Sequence, residues 1–157
     1  MGVAGSGKTT VGKLLSESLQ APFYDADKFH PVENVEKMKK GLALDDDDRK
    51  NWLQAIHTFV SGKLKQSSLV FACSALKEKY RKQLSVDLQA RWVYLEGSFD
   101  EIERRMKSRE RHYMPASLLT SQFEALEPPK DAIIVSINQS PDNMVTQIMQ
   151  VIEKQSG

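Results

Sequence analysis

The sequence predicts an α/β domain built on a mainly parallel sheet. Short apolar runs of strand length alternate with segments whose apolar residues recur at helical spacing, along the whole 157-residue chain. The first ten residues, MGVAGSGKTT, set a glycine-rich turn directly before such a helical segment. The run SLVFAC is apolar almost throughout, the pattern of a strand covered on both faces.

Each element has a local cause. Residues 8–19 carry Val11, Leu14, Leu15 and Leu19 on one helical face, and PFYD, bounded by Pro22, reads as a short strand. Residues 32–41 form a short helix that Gly41 closes. Residues 45–64 form a longer one, with Trp52, Ile56, Phe59, Val60 and Leu64 on its apolar side. Asp45, Asp46, Asp47 and Asp48 stand at its start, where a cap and the helix dipole favour carboxylates. The strand SLVFAC is followed by a helix over 76–84, a strand over 91–97 and a helix over 99–109. A helix over 115–126 has Pro115 in its first turn and is stopped by Pro128 and Pro129. A strand over 132–137 and a helix over 140–154, capped by Ser140 with Pro141 at its first position, complete the pattern. No internal repeat or linker interrupts it, so one domain is expected over 1–157.

Composition narrows the function. Lys and Arg number 22 against 21 Asp and Glu, for a net charge of +1, which argues against a general grip on nucleic acid or anionic membrane. No apolar run reaches membrane-spanning length. The single cysteine, Cys73, cannot form an internal disulfide, and a reducing cytoplasm is the expected setting.

Gly2-Val3-Ala4-Gly5-Ser6-Gly7-Lys8-Thr9 matches the phosphate-loop pattern G-x-x-x-x-G-K-[ST], with Thr10 following inside the helix. Glycines let successive backbone N–H groups turn inward around phosphate oxygens, and the helix adds its positive end. Lys8 is expected to reach the β- and γ-phosphates of ATP and the Thr9 hydroxyl to ligate Mg²⁺. Only Met1 precedes Gly2, so the strand that normally presents such a loop is expected to be missing from this chain.

Asp25 and Asp27 follow the next strand. A locally extended backbone would point both towards the site, one for the metal shell and one to take a proton from an acceptor hydroxyl. Arg49 offers a planar, bidentate cation for a substrate carboxylate, against the alternative of a surface ion pair with Asp45 or Asp46. Ser74 and Lys77 emerge at the end of SLVFAC, with Arg81 one helical turn beyond.

The blocks MGVAGSGKTT, FYDADKFHPVENVEKMKKGLALDDDDR, ACSALKEKYR, YLEGSF and RHYMPASLLTSQFEALEPP together resemble the small P-loop gluconokinases, relatives of shikimate and adenylate kinases. The resemblance runs in order from Met1 to about Pro129. It implies a three-layer P-loop NTPase fold with strand order 2-3-1-4-5, and transfer of the ATP γ-phosphate to the 6-hydroxyl of D-gluconate with Mg²⁺. Proteins of this type are often homodimers, so the implied partners are the small-molecule substrates and a second copy. Asp27 then looks like the base and Asp25 the metal-shell residue, a division taken from the D-x-D of shikimate kinases and open to reversal. An acceptor-binding segment is implied over about 27–64, with Ser74, Lys77 and Arg81 lining the site; His30 reads either as a donor to a substrate hydroxyl or as a loop hydrogen-bonder. A lid is implied over about 107–115. The basic run from Arg104 to Arg111 reads either as a solvated helix end or as part of that lid, with Arg109 as its catalytic arginine in preference to Arg105. His112 reads either as a substrate contact or as packing.

ACSA lacks the aspartate that usually ends the third strand in P-loop enzymes, so Mg²⁺ would rely on Thr9, the Asp25 region, water and the phosphates. The alternatives are a kinase for shikimate or another small hydroxy acid, and a nucleotide-binding protein inactivated by loss of its first strand.

Overall fold

The computed structural model describes residues 1–108 and 115–156. Their elements, in order, are α1 (Lys8–Leu19), β1 (Phe23–Asp25), a 3₁₀ turn (Ala26–Phe29), α2 (Val32–Lys39), α3 (Asp46–Leu64), β2 (Val70–Ala72) and α4 (Glu78–Leu84). Then come β3 (Val93–Glu96), α5 (Phe99–Lys107), α6 (Ala116–Ala125), β4 (Ile133–Ser136) and α7 (Pro141–Ser156).

The strands form two parallel pairs. β1 runs beside β2 with Tyr24 opposite Phe71, and β3 beside β4 with Leu95 opposite Val135. Main chain from the first two residues lies between the pairs. The Met1 nitrogen donates to Val93 O at 2.5 Å, Leu95 N–H donates to Met1 O at 3.0 Å, and Gly2 N–H reaches Ser74 O at 3.3 Å. Helices cover both faces, because successive strand side chains alternate sides. Leu95 joins a core with Val11 and Leu15 of α1, Ile102 of α5, Leu119 of α6 and Ile148 of α7. Its neighbour Tyr94 joins the opposite core with Trp52, Leu53 and Ile56 of α3 and Tyr80 of α4.

Helix ends follow their sequence signals. Asp45 caps α3 in a reciprocal box with Asp48, each side chain accepting from the other's N–H at 2.8 Å. Ser140 Oγ accepts from Asn143 N–H at 3.2 Å at the start of α7. Gly41 has φ 74 after α2, where Leu42 N–H donates back to Lys37 O, and Pro115 packs against it.

Two expectations are corrected. β2 spans only Val70–Ala72, and Val70 and Phe71 are half-buried rather than enclosed on both faces. Arg81, expected to line the site, is engaged within the fold instead. It is 7% exposed, and its guanidinium donates to Ala75 O at 2.9 Å, Leu76 O at 3.0 Å and Glu127 O at 2.9 Å. It clamps the chain after α6 to the turn between β2 and α4. Arg81→Ala would strand these carbonyls, and should cost about 3 kcal/mol in urea unfolding, a loss of structure rather than of substrate affinity.

Candidate active site

The phosphate loop grows from the seat between the strand pairs. Val3 is buried in the core and anchors the loop from below. Gly2, Gly5 and Gly7 take φ values of 146, 78 and 99, conformations that a side chain disfavours, and so bend the main chain into a cradle. Gly7 precedes α1 with no side-chain cap and no acidic residue in the helix's first turn. A Cβ added at Gly7 would meet nothing within 4 Å, so the helix's positive end opens onto free space. That combination fits a phosphate. Lys8 Nζ donates to Val3 O at 2.9 Å, folded back on its own loop, and burial pushes its pKa down while Asp27 pulls it up. Ser6 is buried, with its Oγ unpaired. Thr10 is exposed in the first turn of α1.

The acidic pair stands opposite. Thr9 Oγ1 donates to Asp25 Oδ2 at 2.9 Å, which puts a hydroxyl and a carboxylate side by side in the way a water-rich Mg²⁺ shell needs. Among the described residues no cluster of three or more acidic, His or Cys side chains offers a denser metal site. The expected extended backbone is corrected here. Asp25 Oδ1 accepts from Asp27 N–H at 3.0 Å and caps the 3₁₀ turn that carries Asp27. A short aspartate side chain competes for the backbone donor two residues on, and that local bond overrides extension. Desolvation, then the Asp25 charge, raise the Asp27 pKa, and Lys8 opposes them.

Trp52 ties this turn to α3 by donating from Nε1 to Ala26 O at 2.9 Å. His30 stacks on Trp52 with centroids 4.4 Å apart and planes 5° off parallel. Asn34, nearly fully buried, donates to Asp48 O at 2.8 Å and lies 3.5 Å from His30 Nδ1. Burial, and then the Arg49 charge, lower the His30 pKa to about 4, so the ring is neutral at pH 7.

A cleft of about 220 Å³ opens between α2, α3 and α6, lined by Met38, Leu44, Arg49, Lys77, Leu118 and Gln122 among others. Arg49 forms neither of the expected ion pairs. Its Nη1 donates to the carbonyls of Leu44 and Asp45, and the guanidinium lies over the Tyr80 ring at 5.6 Å. Asp46 instead gathers Lys77, at 3.0 Å, with Lys79 and the Tyr80 hydroxyl. Arg49 and Lys77 therefore share one cleft, whereas Asp27, His30 and Arg81 do not line it. The Ser74 carbonyl holds Gly2, and Ala75 beyond it has φ 44, a strained turn at the end of β2. Arg105 donates to Ile137 O at the end of β4. Arg109 and His112, with most of the expected lid, lie outside the described residues.

The model of a family described as shikimate kinase matches residues 4–153. The thermoresistant gluconokinase of Escherichia coli (strain K12) is 41% identical over 98% of this chain and 91% of its own. The chain belongs to the gluconokinase family. A gluconokinase of Gluconobacter oxydans is 42% identical over 96% of this chain and 87% of its own length. The crystal structure of a gluconokinase from Sinorhizobium meliloti 1021 superposes with a TM-score of 0.88 at 36% identity, covering 100% of this chain and 95% of that one. The P-loop α/β fold expected from the sequence is that of this family. No helix among the described residues is long and apolar enough to cross a membrane.

Sequence reasoning missed Asn34 and Gln122. Gln122 Oε1 accepts from Ala4 N–H at 2.7 Å, joining α6 to the phosphate loop. A signal existed for the second residue, since Gln122 stands one turn beyond the buried pair Leu118 and Leu119, a polar group on an apolar helix face.

The low His30 pKa has a sign in stability. Between pH 6.5 and about 4 the folded protein binds fewer protons at this ring than the unfolded chain does, so stability complete above 6.5 is lost as pH falls towards 4. Thermal melts across that window should show a flatter decline in His30→Gln than in the wild type, and parallel curves would contradict this.

Proposed function

We propose that this protein transfers the γ-phosphate of ATP to the 6-hydroxyl of D-gluconate, giving 6-phospho-D-gluconate and ADP. The observation that carries the reading is the pairing of an uncapped phosphate loop at α1 with a cleft that presents Arg49 and Lys77 to an anionic acceptor. Gluconokinases matched along nearly the whole chain supply the acceptor's identity. Neither alternative is favoured: the relatives that match at 41% and 42% identity are gluconokinases, and the loop, Lys8, Thr9 and the acidic pair are all in place.

In this reading the main-chain N–H groups of residues 2–9 cradle the phosphates, and Lys8 leaves Val3 O to follow the transferring group. Thr9 and Asp25 would hold Mg²⁺, which would supply neutralisation of phosphate charge when bound. Asp27, its pKa raised, accepts the proton of the attacking hydroxyl. His30, neutral and held by Trp52 and Asn34, orients an acceptor hydroxyl from beside the acidic turn. Arg49 exchanges its hold on Leu44 O for the gluconate carboxylate. Lys77, and Ser74 at the end of β2, complete the acceptor site. Arg109 and His112 act from a lid over about 107–115, with the acceptor segment over about 27–64 of a single domain. A homodimer in the cytoplasm, with no nucleic-acid partner, belongs to the same proposal.

Phosphorus NMR of the product is the direct test: a monoester on C6 of gluconate supports the reading, and its absence with ATP fully available overturns it. Arg49→Ala should raise the gluconate KM by about tenfold or more while the ATP KM holds. Asp27→Asn should lower kcat by about 100-fold or more with ATP affinity retained. A near-normal kcat would take Asp27 out of the base role.

A further inference from the structure

The cleft's polar lining is rich in donors, but the two cations among the described lining residues are already engaged. Arg49 donates to Leu44 O and Asp45 O, and Lys77 is paired with Asp46. Ser121 also lines the cleft, and its hydroxyl donates to Ser117 O at 3.0 Å. Gln122 differs. Because Ala4 N–H is a donor, the Gln122 atom 2.7 Å from it must be the carbonyl oxygen, which fixes the orientation of the amide. The NH₂ end is then left with no hydrogen bond to any described residue, on a side chain that lines the cleft. One planar amide thus has its acceptor end on the phosphate loop and a donor end with no described partner, on a residue that lines the cleft.

We propose that Gln122 is an acceptor-positioning residue: with its oxygen held by the phosphate loop, its NH₂ donates to an oxygen of the polyhydroxy-acid substrate. The proposal rests on gluconate being the acceptor. The contact sets the acceptor's depth relative to the phosphates, since both ends belong to one rigid group. It also links the two substrates, because displacing Gln122 from the acceptor side displaces Ala4 in the cradle.

Gln122→Glu separates the two ends. The carboxylate is nearly isosteric and still accepts from Ala4 N–H, but it faces the acceptor with negative charge in place of a donor. Steady-state kinetics with gluconate and ATP, together with the Kd of a non-hydrolysable ATP analogue, read the outcome. The gluconate KM should rise by about tenfold or more while the analogue Kd stays within about twofold of wild type. Gln122→Met, which loses both ends, should raise both quantities, a split that a merely structural role would not produce. A wild-type protein active on gluconate beside a Gln122→Glu enzyme whose gluconate KM is within about twofold of it overturns this proposal alone. A wild-type protein that does not phosphorylate gluconate overturns the acceptor assignment, and this proposal with it. Should the Glu variant fail to fold, an unchanged gluconate KM in Gln122→Met overturns the proposal equally.

Discussion

The seat of the phosphate loop is the constraint on which the remaining structure depends. Main chain at Met1 and Gly2 is hydrogen-bonded to Val93 and Leu95 of β3 on one side and to Ser74 beyond β2 on the other. Neither strand pair touches the other through a ladder of its own among the described residues, so the loop's root is where the two halves meet. Val3 then anchors the loop in one core while Met1 packs into the other. The phosphate cradle therefore sits at the junction of both layers, and whatever it binds is placed relative to both.

From that junction the proposed chemistry divides by element. The β1 end supplies Asp25 and Asp27 through a 3₁₀ turn that Trp52 pins from α3. The β2 end supplies Lys77 after the strained Ala75, and Arg81 holds that turn rigid by bonding carbonyls on both sides of the gap to Glu127. α6 closes the circuit by returning Gln122 to Ala4. Positioning is the larger part of catalysis in phosphoryl transfer, and rigid elements converging on one loop are what positioning requires.

Much of this was legible in the sequence, for identifiable reasons. The loop is eight contiguous residues whose types dictate its shape, and the helices carry their own caps, Asp45 and Ser140 among them. What escaped were features decided by distant partners. Arg81 reads as one more basic residue near a site until Glu127 O, 46 residues away, is found to hold it. Gln122 meets Ala4 across 118 residues, a pairing no local pattern encodes. The geometry of Asp25 and Asp27 was missed for the opposite reason. The competing bond is entirely local, and an aspartate two residues before a free N–H already favours the turn over extension.

The measurement that bears most directly on this account is ADP release by the purified protein with ATP and Mg²⁺, offered D-gluconate, shikimate, glucose and AMP in separate reactions. A loop that holds ATP beside a cation-lined cleft in a gluconokinase-family chain predicts turnover with gluconate and none above background with the other acceptors. Turnover with shikimate or AMP equal to that with gluconate, or silence with gluconate while ATP binds, would contradict it.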